Sequence, residues 1–328
     1  MHNLGKAGQE HLQKSSKLSH FVLSPQDDTV AQVQVFYSPL YDAARHDFDT
    51  TRKARWVADS LSANPIAGLE LVAPYGARQA DLERIHSPVY VEAIRSGKSR
   101  DLATSSGLAW DAGIWEMARA MAGGMMQAVE AALQDGVAGS LSTGMHHAEY
   151  DSGKGFCTFN SLVLAAKHAL DAGAANVVIL DLDAHHGGGT HSLIASEAGM
   201  VQVDLAVNGY DQYVCKENCT VLHLAGRSYL EAVKDALAAI GEGVQLIIYN
   251  AGMDPYRGCP TGGIAECSKE VLAERERLVF DYAARRQVPI AFALAGGYCQ
   301  VHSTEKIAEL VSLHRLTLEY AAAMARDH

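Results

Sequence analysis

The sequence predicts an α/β fold of three layers, with a mostly parallel central sheet and helices on both faces. The runs NVVILDLD (176–183), QLIIYNAG (245–252) and VPIAFALAGG (288–297) are short, nearly continuously apolar, and each follows a helical stretch. That is the pattern of strands buried on both faces. The 328 residues also include 48% hydrophobic residues and 29 glycines, enough for a large core with many tight turns, so global disorder is excluded.

The elements follow in order. Residues 1–29 are polar and aperiodic and read as an N-terminal extension. VQVFY (33–37) reads as a first strand, and RKARWVADSLSAN (52–64) as a helix that stops before Pro65. IWEMARAMAGGMMQAVEAALQ (114–134) is a helix whose Met and Ala stripe is core packing. No internal repeat, low-complexity linker or composition break divides the rest. Residues 30–328 are therefore expected to form a single domain.

The formal net charge of -11 argues against a nucleic-acid partner, which calls for a concentrated basic patch, and leaves room for a cationic substrate. No apolar stretch is long enough to span a bilayer, and no apolar leader opens the chain. Six scattered cysteines then read as free thiols in a cytoplasmic protein. Cys215 and Cys219 lack a second pair at structural-zinc spacing.

Chemistry gathers at the ends of the apolar runs, where ligands bind in open α/β sheets. In NVVILDLDAHHGGGTH, Asp181, Asp183 and His185 recur at every second position, so an extended chain points them to one side. Two carboxylates and an imidazole on one buried face are costly without a cation. Metal binding is the economical explanation, and Gly187, Gly188 and Gly189 let the backbone pass close to whatever occupies the site. Asp254, at the mouth of the next run, is the candidate third ligand, although an aspartate before proline also initiates turns.

Two further segments complete the set. Adjacent His146 and His147 in STGMHHAEYDSGKGFCTFNS could exchange protons near neutral pH. Tyr298, after Gly296 and Gly297, could hydrogen-bond a developing oxyanion.

Taken together, GMHHA, GFCTFN, LDLDAHHGGGT, NAGMD and AGGY, in this order, resemble the histone deacetylase superfamily, which includes acetylpolyamine amidohydrolases and shares the arginase-like fold. The resemblance implies one Zn2+ held by Asp183, His185 and Asp254, with His147 as general base and then acid. It makes His146 the electrostatic partner, oriented by Asp181, and Tyr298 the group that polarises the scissile carbonyl. Gly155, Phe156 and Gly296 would line the acyl channel, Asp111 in GLAWD would grip substrate backbone, and Arg55 would stand near an internal cavity. It also implies K+ near Asp181, Asp183 and the backbone of His185, with Asp204 facing it where relatives carry serine.

The expected substrate is an acylated amine, either acyl-lysine or a small acetylated polyamine, and a homo-oligomer is compatible with the chain. The absence of a long insertion between Tyr37 and Arg55 weighs against the polyamine. A dinuclear manganese hydrolase of the arginase type and a non-catalytic acyl-binding module are the rival readings. Three residues depart from the family pattern: Ala295, Cys259, and Gly188, which stands where an Asp or Asn usually orients the second histidine.

Overall fold

The computed structural model describes residues 32–326; the extension expected over residues 1–29 lies outside the described residues. Eight strands form one sheet in the order β2-β1-β3-β8-β7-β4-β5-β6. They are β1 (Val33–Phe36), β2 (Leu69–Val72), β3 (Val137–Ser140), β4 (Val177–Asp181), β5 (Met200–Leu205), β6 (Cys219–Leu222), β7 (Leu246–Asn250) and β8 (Ile290–Ala293). Every pairing is parallel.

The helices are α1 (Asp49–Ala63), α2 (Gln79–Leu82), α3 (Pro88–Ser96), α4 (Arg100–Ala103), α5 (Ala112–Asp135), α6 (Ser161–Asp171), α7 (Gly188–Ile194), α8 (Tyr229–Ala239), α9 (Lys269–Arg286) and α10 (Thr304–Arg326). They cover both faces, giving the three-layer α/β fold expected from the sequence. The continuous burial of β3, β4, β7 and β8 explains why their sequences show no polar alternation. The α5 stripe of Met117, Met121 and Met125 is buried, as its periodicity predicts.

The topology places the site. From β4 the chain runs outward to β5 and β6, then returns to the other side of β4 as β7 and continues to β8. The segments leaving β4 and β7 therefore diverge and open a crevice at the carboxyl edge of the sheet. Regular strand structure ends at Asp181 and Asn250, so the polar residues that follow belong to the crevice loops.

A buried cation ties these two strand ends together. The Arg275 guanidinium donates to Gly252 O at 2.5 Å, to Leu182 O at 3.5 Å and to Glu276 Oε1 at 2.5 Å. Both side chains of the Arg275–Glu276 pair are fully buried.

One expectation needs correction. Cys215 and Cys219 are joined by a disulfide just before and at the start of β6, with Cα atoms 5.8 Å apart, so not all six cysteines are free thiols. Three intervening residues bring the two side chains within bonding reach. Cys157, Cys259, Cys267 and Cys299 are free and buried. Among the described residues, no helix is long and apolar enough to cross a membrane.

Arg275→Ala would strand Glu276 in the interior. The expected cost is roughly 3–5 kcal/mol, read as a lower denaturant midpoint; an unchanged midpoint would show that the pair does not hold the strand ends.

Candidate active site

Beyond β4 the chain descends through two short side-chain-to-backbone turns. Asp181 Oδ1 accepts the Asp183 N–H at 3.2 Å, and Asp183 Oδ1 accepts the His185 N–H at 3.0 Å. Such aspartate turns keep alternate side chains on one side after the ladder has ended. His185 Nδ1 lies 2.9 Å from Asp183 Oδ1 and 3.0 Å from Asp254 Oδ2, which arrives from the loop after β7. One ligand atom from each of Asp183, His185 and Asp254 lies within 4.8 Å of the others, and all three residues are buried. Although His185 stands close, Asp254 Oδ2 accepts no well-directed hydrogen bond.

The carboxylates here do not share one titration. Burial opposes ionisation of Asp183, but the charges of His146 and His185 hold it well below the ordinary range. Burial and the neighbouring Asp183 push Asp254 up to about 6. Asp204 lies across from Asp181 in the β4–β5 register, and burial together with Asp181 pushes it up to about 8. Two carboxylates and an imidazole gathered in the interior are a donor set that suits a divalent cation.

His146 and His147 follow β3, with ring centroids 3.9 Å apart. Nδ1 of His146 is 2.8 Å from Asp181 Oδ2, and Nε2 is 3.6 Å from Asp183 Oδ1. Burial would lower its pKa, yet the two carboxylates raise it to about 10. For His147, burial and the charge of His146 win over its own carboxylate partner and lower it to about 4. One ring is therefore cationic and the other neutral near pH 7.

Asp211 is that carboxylate partner, and the sequence did not single it out. Its Oδ2 is 2.8 Å from His147 Nδ1, and its other oxygen pairs with Lys154 Nζ. The bond assigns Nδ1–H to Asp211 and leaves Nε2 as the free nitrogen. Gly188 makes room for this arrangement: a Cβ there would lie 2.6 Å from the Asp211 carbonyl oxygen and 2.7 Å from its carboxyl carbon. The absence of a side chain at position 188 and the placement of Asp211 against His147 thus go together. The only signal in the sequence was the gap itself.

A cavity of about 650 Å³ opens over these groups, lined by His147, Gly155, Phe156, His185, Tyr210 and Tyr298 among others. Gly155 (φ 52°) and Phe156 (φ 64°) both adopt left-handed backbone, and a Cβ on Gly155 would lie 2.6 Å from His147 Cδ2. Tyr210, also missed, meets the His147 ring edge-on at 5.0 Å and the His185 ring at 5.7 Å. Tyr298 is held protonated by burial, reinforced by the charges of Asp183 and Asp254.

Gly296 packs against the carboxylates themselves: a Cβ there would lie 2.5 Å from Asp254 Oδ1 and 2.7 Å from Asp183 Oδ2.

Two expected residues do not reach the pocket. Asp111 caps α5, accepting the Gly113 N–H at 2.7 Å, and its second oxygen accepts the Arg45 N–H at 2.9 Å. Each oxygen of its carboxylate thus serves the local backbone. Arg55 projects outward to pair with Asp42 at 2.7 Å. The internal cation is Lys53, which is buried and donates to Gly296 O. Two residues along a helix turn the side chain through about 200°, so Lys53 and Arg55 cannot share a face. Burial lowers Lys53 to about 8 against the pull of Asp254 and Asp183.

The chain is 25% identical over 295 residues to histone deacetylase 2 of Arabidopsis thaliana, covering 83% of this chain and 76% of that one. Acetylpolyamine amidohydrolase 1 of Pseudomonas aeruginosa is 31% identical over 171 residues, 47% of this chain and 48% of its own length. The fold matches the crystal structure of an acetylpolyamine aminohydrolase from Burkholderia pseudomallei with a TM-score of 0.73, at 20% identity over 89% of this chain and 99% of that one. The histone deacetylase domain model matches residues 46–213, about half of the chain, and the chain belongs to the histone deacetylase family.

Proposed function

We propose that the protein is a zinc-dependent deacetylase that hydrolyses the amide of an acetylated amine. The convergence of Asp183, His185 and Asp254 beneath a pocket also lined by His147 and Tyr298 carries this reading. Their buried donor set, with a carboxylate oxygen lacking a directed partner, fits Zn2+. Bound there, zinc would supply Lewis-acid polarisation and a lowered water pKa.

The chain's own groups divide the remaining work. Phe156 and Tyr210 form apolar walls for the linear chain that carries the acyl group. His147 Nε2 takes a proton from the attacking water, with Asp211 fixing the tautomer and steadying the charge that the ring acquires. His146, cationic beside Asp181, offsets the local negative charge. As water adds to the carbonyl, the Tyr298 hydroxyl donates to the developing oxyanion. Collapse breaks the C–N bond, and His147 returns its proton to the departing amine, leaving the amine and acetic acid, which gives up its proton to become acetate.

Asp181, Asp183, Asp204 and the backbone of His185 would hold K+ close by. Asp204 Oδ1 is buried without a hydrogen-bond partner, which supports a cation there.

The amine carrier is proposed as acyl-lysine. The name of the Pseudomonas aeruginosa relative favours small acetylated polyamines as the second reading. Turnover of acetyl-lysine peptides and of acetylated polyamines, measured side by side, decides between them.

Tyr298→Phe should retain its metal and lose on the order of 100-fold in kcat, the scale of a lost oxyanion donor; near-normal turnover would remove Tyr298 from the mechanism. Asp211→Ala should lower kcat by roughly 10–100-fold with little change in KM, whereas Asp211→Asn, whose amide oxygen can still accept from Nδ1, should recover most of the loss. Equal kcat in the alanine variant and the parent would show that His147 needs no partner at 211.

A further inference from the structure

We propose that Asp49, Cys299 and His302 form a second metal site, for a zinc-like divalent cation, against the wall of the catalytic pocket. Cys299 and His302 stand in a Cys-Gln-Val-His turn that begins directly after Tyr298, and Gln300 at φ 54° folds it back. Asp49 opens α1 and is 2% exposed. One ligand atom from each residue lies within 4.8 Å of the other two. The Cys299 thiol donates to Asp49 Oδ1 at 2.8 Å, and His302 Nε2 lies 3.5 Å from the same oxygen. Thiolate, imidazole and carboxylate together suit a borderline-soft ion such as Zn2+ better than Mg2+ or Ca2+.

The surroundings of His302 leave its Nε2 free for an ion. Its Nε2 points at the cluster, while Nδ1, across the ring, faces Asp47 Oδ1 at 3.6 Å, a carboxylate that pairs with Arg52 Nε at 3.2 Å, so the outer nitrogen sits in a negative field without a direct hydrogen bond. Trp56 packs edge-on against that ring at 4.9 Å. The His302 side chain is 25% exposed, which gives an ion a path in and leaves a position for water. On binding, the Cys299 S–H bond would break and its proton pass to solvent, so thiolate and carboxylate balance the dication.

The location gives the site a consequence. Phe48, beside Asp49, packs on Phe156 at 4.3 Å and on Tyr298 at 5.6 Å, and Tyr298 itself precedes Cys299. A bound ion would tie together the two segments that carry this aromatic wall. None of its ligands is shared with Asp183, His185 or Asp254, so the proposal does not depend on the deacetylase reading.

Cobalt tests it on the full chain. After chelation and reloading with Co2+, a thiolate-to-cobalt charge-transfer band in the near ultraviolet reports sulfur ligation, and the Asp183 site contains no sulfur donor. The band should appear in the parent chain, disappear in Cys299→Ser, fall severalfold in His302→Ala and persist in Asp254→Ala. Absence of the band from the parent chain, or its survival at full intensity in Cys299→Ser, would overturn the proposal. Cobalt content counted in parallel should fall by one ion per chain in Cys299→Ser, independently of whether the Asp183 site is filled.

Discussion

Asp181, Asp183, Asp204 and Asp254 are all buried at the carboxyl edge of the sheet, and the repulsion among them governs much of what surrounds them. Two like charges 4 Å apart near a protein surface repel by about 4 kcal/mol, and burial adds a desolvation cost to each. The fold meets that cost in pieces. His146 bonds Asp181, His185 bonds Asp183 and stands close to Asp254, and Tyr213 and the Gly187 N–H donate to Asp204. What the side chains leave uncompensated is the room for a cation. Lys53 approaches from α1, on the far side of Gly296, but its ammonium is spent on that residue's carbonyl.

The same electrostatics separate two adjacent histidines of identical chemistry. His146 sits against two carboxylates and gains a proton; His147, one residue on, is held neutral by burial and by the like charge of His146. A dyad with one charged and one neutral ring can hold a local field and still accept a proton. Asp211 matters because it reaches only the neutral ring. It does so from a loop that packs into the space freed by Gly188, so the geometry of His147 depends on a contact between segments separated by more than twenty residues.

How much of this was legible follows from where the determinants lie. The parallel sheet could be read because β4, β7 and β8 are buried on both faces and show it as apolar runs. Asp183 and His185 could be read because alternate residues share a side, and the aspartate turns extend that rule past the last ladder hydrogen bond. Asp254 was an ordinary turn aspartate until the family pattern gave it company. Asp211 and Tyr210 were invisible because nothing in the loop after β5 shows periodicity, and only folding brings it over His147. Arg55 and Asp111 failed for local reasons: a helix face pointing outward, and a cap that outcompeted a ligand.

The most direct measurement follows acetate release from an acetyl-lysine amide by the purified chain, before and after removal of metal and after adding Zn2+ back. Zinc held by Asp183, His185 and Asp254 predicts turnover that vanishes on chelation, returns with Zn2+, and does not return in Asp183→Ala or Asp254→Ala. Hydrolysis that survives thorough metal removal, or that Zn2+ restores equally in those two variants, would contradict it.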